Sequence, residues 1–217
     1  MMSESETSVT ATGSEPEQLP RPTWRELSLT IVILTIVLIL DQFTKYLVEA
    51  YLPLYTSWAP WPRLAAYFQI IHVTNTGASF GLFPDGSRIF MVVAVLVVGA
   101  ILYYNYALPA GQRPLRIALG LQLAGALGNF IDRLRIGHVT DFIDIDVSSL
   151  IYIPYISDWP VFNVADMSIV SGVLLMAWLM WREHRHAQVM DTPTNPSHER
   201  SLGEPEFHAP TDEWASR

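Results

Sequence analysis

The sequence contains no cysteine, and charged residues make up only 16% of its 217 residues. Without cysteine there is no disulfide framework and no thiol nucleophile, so the chain is not a disulfide-stapled secreted module. The metal-binding pattern His-Glu-x-x-His is missing, and Asp144-x-Asp146-x-Ser148 lacks the glycine and distal glutamate of a calcium loop. Nor is there a basic patch interleaved with aromatic residues, as nucleic-acid binding requires. We therefore expect no metal, no cofactor and no nucleic-acid partner.

The formal net charge of −8 is concentrated at the two ends of the chain. Residues 1–22 carry −3 and residues 186–217 carry −4, which leaves −1 for the body. Both ends are rich in Ser, Thr, Glu and Pro, and they cannot bury enough apolar surface to offset the loss of chain entropy. We predict disordered acidic tails at 1–22 and 186–217, on either side of one membrane domain at 23–185.

Four apolar stretches in the body reach or approach the length of about 20 residues that crosses a bilayer. They predict spans at approximately 27–47, 89–108, 115–131 and 161–181. If the chain crosses four times, six arginines fall on one side, and the positive-inside rule makes both termini cytoplasmic. These are Arg21, Arg25, Arg113, Arg116, Arg182 and Arg185, against Arg63, Arg88, Arg133 and Arg135 on the other side.

This topology leaves two extracytoplasmic segments, 48–88 and 132–160. Residues 65–74 and 136–146 have the β-branched and aromatic composition of strands, and 147–156 reads as a short amphipathic helix. The predicted fold class is an all-α polytopic membrane protein, with four transmembrane helices and a small extracytoplasmic platform that contains β-strands and the short helix.

Small residues recur one turn apart in the third span, at Gly120, Ala124 and Gly128, which predicts close helix packing. Asn129 and Gln122 lie two turns apart on one face of the same helix, so a polar stripe points into the bundle. We take Asn129 as the better candidate for a functional residue.

Two aspartates, Asp141 and Asp166, lie at the edges of the last two spans. Ionisable residues at a membrane boundary are costly to keep and suggest a function. Each also has a structural explanation, because Asn163-x-x-Asp166 has the spacing of a helix cap and its reciprocal partner. Asp41 likewise precedes Lys45 by one helical turn, as expected of a local ion pair or of a site organiser.

If Asp141 and Asp166 face each other in a water-poor cleft, they cannot both ionise easily and share one proton. One carboxyl group then activates water while the other protonates a carbonyl oxygen, as in aspartic proteases.

Five ordered blocks of the sequence resemble those of the lipoprotein signal peptidase (signal peptidase II) family. The resemblance covers approximately residues 27–181. The blocks are Asp41-Gln-Phe-Thr-Lys45, Asn75-Thr-Gly-Ala-Ser-Phe-Gly81, Gly125-Ala-Leu-Gly-Asn-Phe-Ile-Asp-Arg133, Val139-Thr-Asp-Phe-Ile-Asp144 and Phe162-Asn-Val-Ala-Asp166.

The resemblance implies a bacterial plasma (inner) membrane aspartyl peptidase that acts at the extracytoplasmic face. Such an enzyme cleaves prolipoproteins just before a diacylglyceryl-modified cysteine, so its expected partners are prolipoproteins and membrane lipids, and we expect a monomer. The implied catalytic pair is Asp141 and Asp166. The implied substrate-binding or supporting residues are Asp41, Asn75, Gly77, Asn129, Asp132, Arg133 and Asn163.

Two alternatives follow from the residues. Gly77-Ala-Ser79-Phe-Gly81 fits the Gly-x-Ser-x-Gly pattern of serine hydrolases, with His72 and His138 on the same side of the membrane. A turn-forming run follows it instead of a helix, so we interpret it as a chance match. A small transporter would also carry acids and asparagines in its bundle, but we would expect them at mid-membrane, on broken helices.

Overall fold

The computed structural model of the protein describes residues 22–77, 86–146 and 160–190. Four of its helices are long and apolar enough to cross a membrane, which confirms the prediction of four membrane-spanning helices. They are α1 Trp24–Tyr51, α2 Ser87–Ala107, α3 Arg113–Ile136 and α4 Val164–Met190.

The chain separates into two compact units, Met1–Leu179 and Met180–Arg217. The first holds α1, α2, α3, the strands and most of α4. The described part of the second unit is the end of α4, where the guanidinium of Arg185 lies 5.2 Å from the ring centre of Trp181.

Helix α3 lies at the centre of the first unit and is the most buried of the four. Small residues make this possible: a Cβ at Gly120 would lie 2.9 Å from Cβ of Ile33 on α1, and one at Gly172 on α4 would lie 2.7 Å from the carbonyl oxygen of Ala118. A Cβ at Gly125 would overlap the carbonyl oxygen of Ala165. The predicted close packing of the third span is therefore present, against both α1 and α4.

Helix α3 runs five residues beyond its predicted end, to Ile136, so that Asp132 and Arg133 are helical residues. It stops at Gly137, whose φ of 83° is left-handed and therefore favours glycine, and strand β3 begins two residues later. This short connection places the last turn of α3 directly beside β3.

Three antiparallel strands form a sheet in the order β1-β2-β3, with bounds β1 Ser57–Trp58, β2 Phe68–Asn75 and β3 Val139–Ile145. Both predicted strands are confirmed, and β1 is an addition. Val73 pairs with Asp141 and Asn75 with Val139, and the register shifts between Ile70 and Val73. The sheet thereby brings β2 and β3 together at the residues that carry Asn75 and Asp141.

Several predictions fall outside the described residues: the amphipathic helix at 147–156, the Ser79 motif, and both tails except for residue 22 and residues 186–190. Residues 186–190 were expected in the disordered tail but belong to α4.

Candidate active site

The start of α4 carries the capping arrangement that the sequence predicts. The side-chain oxygen of Asn163 accepts a hydrogen bond from the backbone N–H of Asp166 at 2.9 Å. The carboxylate of Asp166 in turn accepts one from the backbone N–H of Asn163 at 3.2 Å. This reciprocal cap satisfies two helix-terminal donors and holds the Asp166 side chain against the helix start.

Asp141 reaches the same place from strand β3. Its Oδ1 accepts a hydrogen bond from Nδ2 of Asn163 at 2.7 Å, and its Oδ2 accepts one from Nδ2 of Asn75 at 2.9 Å. The Asn163 side chain therefore does two tasks: its oxygen caps α4 and its NH₂ group holds Asp141.

Asn129, near the end of α3, is the third asparagine of the site. Its Nδ2 donates to Oδ1 of Asp166 at 2.8 Å, and its Oδ1 accepts from Nδ2 of Asn163 at 3.1 Å. Each aspartate is therefore held by two N–H donors, while a network of amides connects the two carboxylates.

Both carboxylates line a single cavity of about 370 Å³. Its polar wall also includes Asn75, Asn129 and Arg133. The remainder is formed mostly by apolar residues of α2, together with single residues of α3, β3 and α4 and with Gly77. The lining residues outside the polar wall are Gly77, Phe90, Val93, Ala94, Val97, Ala126, Val139 and Ile169.

The environment of Asp141 favours its protonated form. The pKa of Asp141 is raised to about 7, chiefly by burial and then by the negative charge of Asp166, against the opposing effect of the hydrogen bonds from Asn75 and Asn163. The neighbouring Asp144 also has a raised pKa, because of its burial and the charge of Asp146. Of the aspartates on this strand, only Asp141 lies on the cavity wall.

A second layer of charge is buried behind the cavity. The ammonium of Lys45 lies 2.9 Å from Oδ2 of Asp41 and 2.8 Å from Oδ2 of Asp132, and all three side chains have 0% exposure. The other oxygen of Asp41 accepts the backbone N–H of Ala165 in the first turn of α4 at 2.9 Å. Asp41 thereby fixes the start of α4 from the neighbouring helix α1.

Arg133 and Gly77 form one rim of the cavity. Nη2 of Arg133 donates to the carbonyl oxygen of Gly77 at 3.1 Å, and the guanidinium lies 5.2 Å from the ring centre of Phe90. Nε of Arg133 is buried and has no hydrogen-bond partner among the described residues. The rim thus presents a fixed cation beside the two aspartates.

The structure brings together all nine residues that the sequence singled out. Six line the cavity, and Asp41, Asp132 and Asn163 lie buried behind its wall. Sequence reasoning missed Gln42, which donates to both Asp41 and Asp132, and Thr140, whose backbone carbonyl and N–H face Asn163 and Asp132. It considered Lys45 only for its pair with Asp41. Within the described ranges, no three acidic, histidine or cysteine side chains are placed to hold a metal ion.

The family model described as Signal peptidase (SPase) II matches residues 33–182 of the sequence. The chain belongs to the signal peptidase II family. The resemblance in the sequence blocks is thus confirmed, and the four helices make this member a multi-pass membrane protein.

Individual relatives agree with this assignment. A lipoprotein signal peptidase of Moorella thermoacetica is 39% identical over 151 residues, which cover 68% of this chain and 89% of the relative. Another, of Anoxybacillus flavithermus, is 34% identical over 176 residues, covering 81% and 99%.

Two solved structures, each described as a bacterial membrane enzyme, have a similar fold. One superposes with a TM-score of 0.65 at 28% identity, covering 77% of this chain and 94% of its own, and the other with 0.62 at 29% identity, covering 76% and 97%. Membership of a peptidase family favours a protease over the transporter alternative.

Proposed function

We propose that this protein is an aspartic endopeptidase that removes the signal peptide from prolipoproteins. It cleaves the peptide bond N-terminal to the diacylglyceryl-modified cysteine, and Asp141 and Asp166 activate the attacking water. The names of its relatives and the membership of the signal peptidase II family support the substrate class. The choice of these two aspartates rests on the geometry of the cavity.

One observation carries the assignment: the buried carboxylate of Asp141 and the partly buried carboxylate of Asp166 line the same cavity and are joined through Asn163. Nδ2 of Asn163 binds Asp141 and its backbone N–H binds Asp166. Two carboxyl groups that face one water-poor cavity cannot both ionise easily and therefore share a proton. The raised pKa of Asp141 supports Asp141 as the holder of the shared proton, with Asp166 as the base.

In the first chemical step, Asp166 takes a proton from a water molecule as the water oxygen adds to the scissile carbonyl carbon. Asp141 gives its proton to the carbonyl oxygen, which produces a neutral geminal diol. In the second step, Asp166 passes its proton to the leaving nitrogen and the C–N bond breaks. Asp141 recovers a proton from one diol hydroxyl as the new carboxyl group forms, so the pair returns to its starting state.

The remaining cavity residues have roles in binding. The apolar wall from α2 and Ile169 accepts the apolar signal peptide, and the guanidinium of Arg133 faces backbone carbonyls or the lipid-modified part of the substrate. Asn75, Gly77 and Asn129 orient the dyad and the scissile bond. Lipid-facing grooves between the helices take the diacylglyceryl chains.

The arginine distribution supports a plasma-membrane protein with both termini in the cytoplasm. The cavity then opens at the extracytoplasmic end of the bundle, where secreted prolipoproteins emerge. The site is formed by one chain, in agreement with action as a monomer.

Cleavage of a diacylglyceryl-modified prolipoprotein by the purified full chain in detergent tests the proposal. Asp141→Asn and Asp166→Asn should each lower kcat by about 10⁴-fold, because a general acid or base is lost while the side-chain volume is kept. Ser79→Ala is the matched control and should cleave at the unchanged rate.

Cleavage that survives either aspartate substitution would contradict the dyad. Loss of cleavage in Ser79→Ala would point to the serine mechanism instead. Correct cleavage of an unmodified precursor at the same rate would show that the diacylglyceryl group is not part of what the enzyme recognises.

A further inference from the structure

Lys45 is a completely buried cation on α1 whose three hydrogen-bond donors are all used. Two point to carboxylates, Oδ2 of Asp41 at 2.9 Å and Oδ2 of Asp132 at 2.8 Å. The third points to Oδ1 of Asn129 at 3.0 Å. Because an ammonium group has three N–H bonds, this set of acceptors fixes the position of Nζ completely.

The third contact matters because it defines the orientation of a side-chain amide. The two lone pairs of Asn129 Oδ1 are filled by Nζ of Lys45 and by Nδ2 of Asn163. The NH₂ group of Asn129 is thereby directed at Oδ1 of Asp166, 2.8 Å away. If the amide of Asn129 were rotated by 180°, its NH₂ group would face the N–H donors of Lys45 and Asn163, and its oxygen would face the carboxylate of Asp166. Both arrangements are repulsive.

We propose that Lys45 is a positioning residue for peptide cleavage, acting through Asn129 to hold the Asp166 carboxylate in its reactive orientation. This inference rests on the proposed function of Asp166. The buried ion pair of Lys45 would then do more than balance charge. Asp41 and Asp132 fix the ammonium of Lys45. The ammonium orients the amide of Asn129, which in turn binds Asp166.

Lys45 reaches the reaction only through other side chains. It has no exposed surface, whereas Asn129 and Asp166 line the cavity. A change at Lys45 should therefore lower kcat and leave KM unchanged, since the surface that meets the substrate stays in place.

A double-mutant cycle between Lys45 and Asn129 tests the inference with the same purified chain and diacylglyceryl-modified prolipoprotein. Lys45→Met keeps an unbranched apolar side chain as far as the ε position and removes the ammonium. We expect it to lower kcat about 100-fold, which is a typical cost of misplacing a reacting group. Asn129→Ala should lower kcat to a similar extent, and the double variant should be no slower than Asn129→Ala alone.

Arg116→Met provides the matched control, because Arg116 is another cation with 0% exposure, located at the start of α3. It should lower the thermal stability of the protein and leave kcat per folded molecule unchanged. If Lys45→Met does not fold, Lys45→Met/Asp132→Asn preserves the net charge of the buried cluster and is compared with Asp132→Asn alone.

The two proposals fail in different ways. If Asp166→Asn is inactive and Lys45→Met has the wild-type kcat, or if the losses of Lys45→Met and Asn129→Ala multiply, the role of Lys45 is wrong and the dyad stands. An increase in KM with unchanged kcat would also overturn the role of Lys45. If Asp166→Asn cleaves normally, the dyad itself is wrong.

Discussion

Two buried polar clusters lie along the pair of helices α1 and α3, and each joins a cation to an asparagine. Near the start of α3, Nη1 of Arg116 donates to Oδ1 of Asn105 at 2.9 Å, and Thr30 donates to the same oxygen at 3.0 Å. Near the end of α3, Lys45 donates to Oδ1 of Asn129. We refer to these as the Arg116 cluster and the Lys45 cluster.

The two clusters differ in the groups that accept their remaining hydrogen bonds. The guanidinium of Arg116 binds the carbonyl oxygens of Asn105 and Leu108 at 2.7 and 3.0 Å, where α2 ends, so it closes the connection between α2 and α3. The amide of Asn129 instead binds a carboxylate on a cavity wall. A buried charge in a membrane span is therefore no sufficient sign of a site. Contact with the cavity separates the two clusters: Asn129 lies on its wall, whereas Asn105 and Arg116 do not.

The largest expected contrast comes from replacing the asparagine in each cluster with leucine. Asn129→Leu should lower kcat about 100-fold, because Asp166 loses the donor that orients it. Asn105→Leu should leave kcat unchanged and lower the free energy of unfolding by about 2 kcal/mol, since buried donors of Arg116 and Thr30 lose their acceptor. Steady-state cleavage and thermal unfolding in detergent measure both quantities. Loss of kcat in Asn105→Leu would remove the functional distinction between the clusters.

A smaller contrast is expected from the two glycines by which α3 approaches α1. A Cβ at Gly128 would lie 2.5 Å from Oδ2 of Asp41, and one at Gly120 would lie 3.0 Å from the carbonyl oxygen of Thr30. Alanine at either position should cost about 1 to 3 kcal/mol of stability through overpacking. Only Gly128→Ala should also lower kcat, because it displaces the acid that fixes the start of α4.

Gly99→Ala on α2 is the control for both, since a Cβ there meets nothing within 4 Å. It should be neutral or slightly stabilising. If Gly120→Ala and Gly128→Ala reduce kcat equally, the rate depends on helix packing as a whole. The loss of kcat in Gly128→Ala could then not be attributed to the contact between Gly128 and Asp41.

The pH dependence of cleavage gives the smallest effect. Asp141, with a pKa of about 7, keeps its proton below that pH and loses it above. Since the proposed mechanism needs the protonated form, kcat should fall about tenfold per pH unit on the alkaline side, with an apparent pKa near 7 that belongs to the coupled pair.

Asn75→Leu should shift this alkaline limb to higher pH, because the hydrogen bond from Asn75 lowers the pKa of Asp141. Asn105→Leu is the control and should leave the alkaline limb of the pH–rate profile at the same pH. A rate that rises through pH 7, or a limb that Asn75→Leu does not move, would contradict Asp141 as the proton donor.

Much of the fold and part of the site were predictable, because they depend on short-range patterns. Apolar length predicts the four spans, alternation and β-branching predict β2 and β3, and the spacing of Asn163 and Asp166 predicts a cap that the structure contains. The capping and dyad interpretations of Asp166 had seemed to compete. One carboxylate serves both, because Oδ2 of Asp166 accepts the backbone N–H of Asn163 while Oδ1 accepts Nδ2 of Asn129, and the residue lies on the cavity wall.

The pairing of Lys45 was only half predictable. Its bond to Asp41 follows from a spacing of one helical turn, but its bonds to Asp132 and Asn129 join residues more than 80 positions apart in the sequence. Gln42 and Thr140 were missed for the same reason, since neutral polar residues carry no local signal when their partners lie on another element. The end of α3 could have been predicted from Gly137, whose left-handed φ favours glycine, but the predicted span stopped at residue 131.

The sequence by itself determined that this chain crosses a membrane four times, caps its last helix with Asn163 and Asp166, and belongs with the signal peptidases. These properties arise from apolar length, near-neighbour hydrogen bonding and ordered residue blocks, all of which exist before the chain folds. Only the tertiary structure decided that Asn163 also holds Asp141, that Asn129 joins Lys45 to Asp166, and that Arg116 reaches no part of the cavity wall within the described residues. Those contacts depend on how closely α3 approaches its neighbours, and that distance is defined by the atoms that meet at Gly120, Gly125 and Gly128.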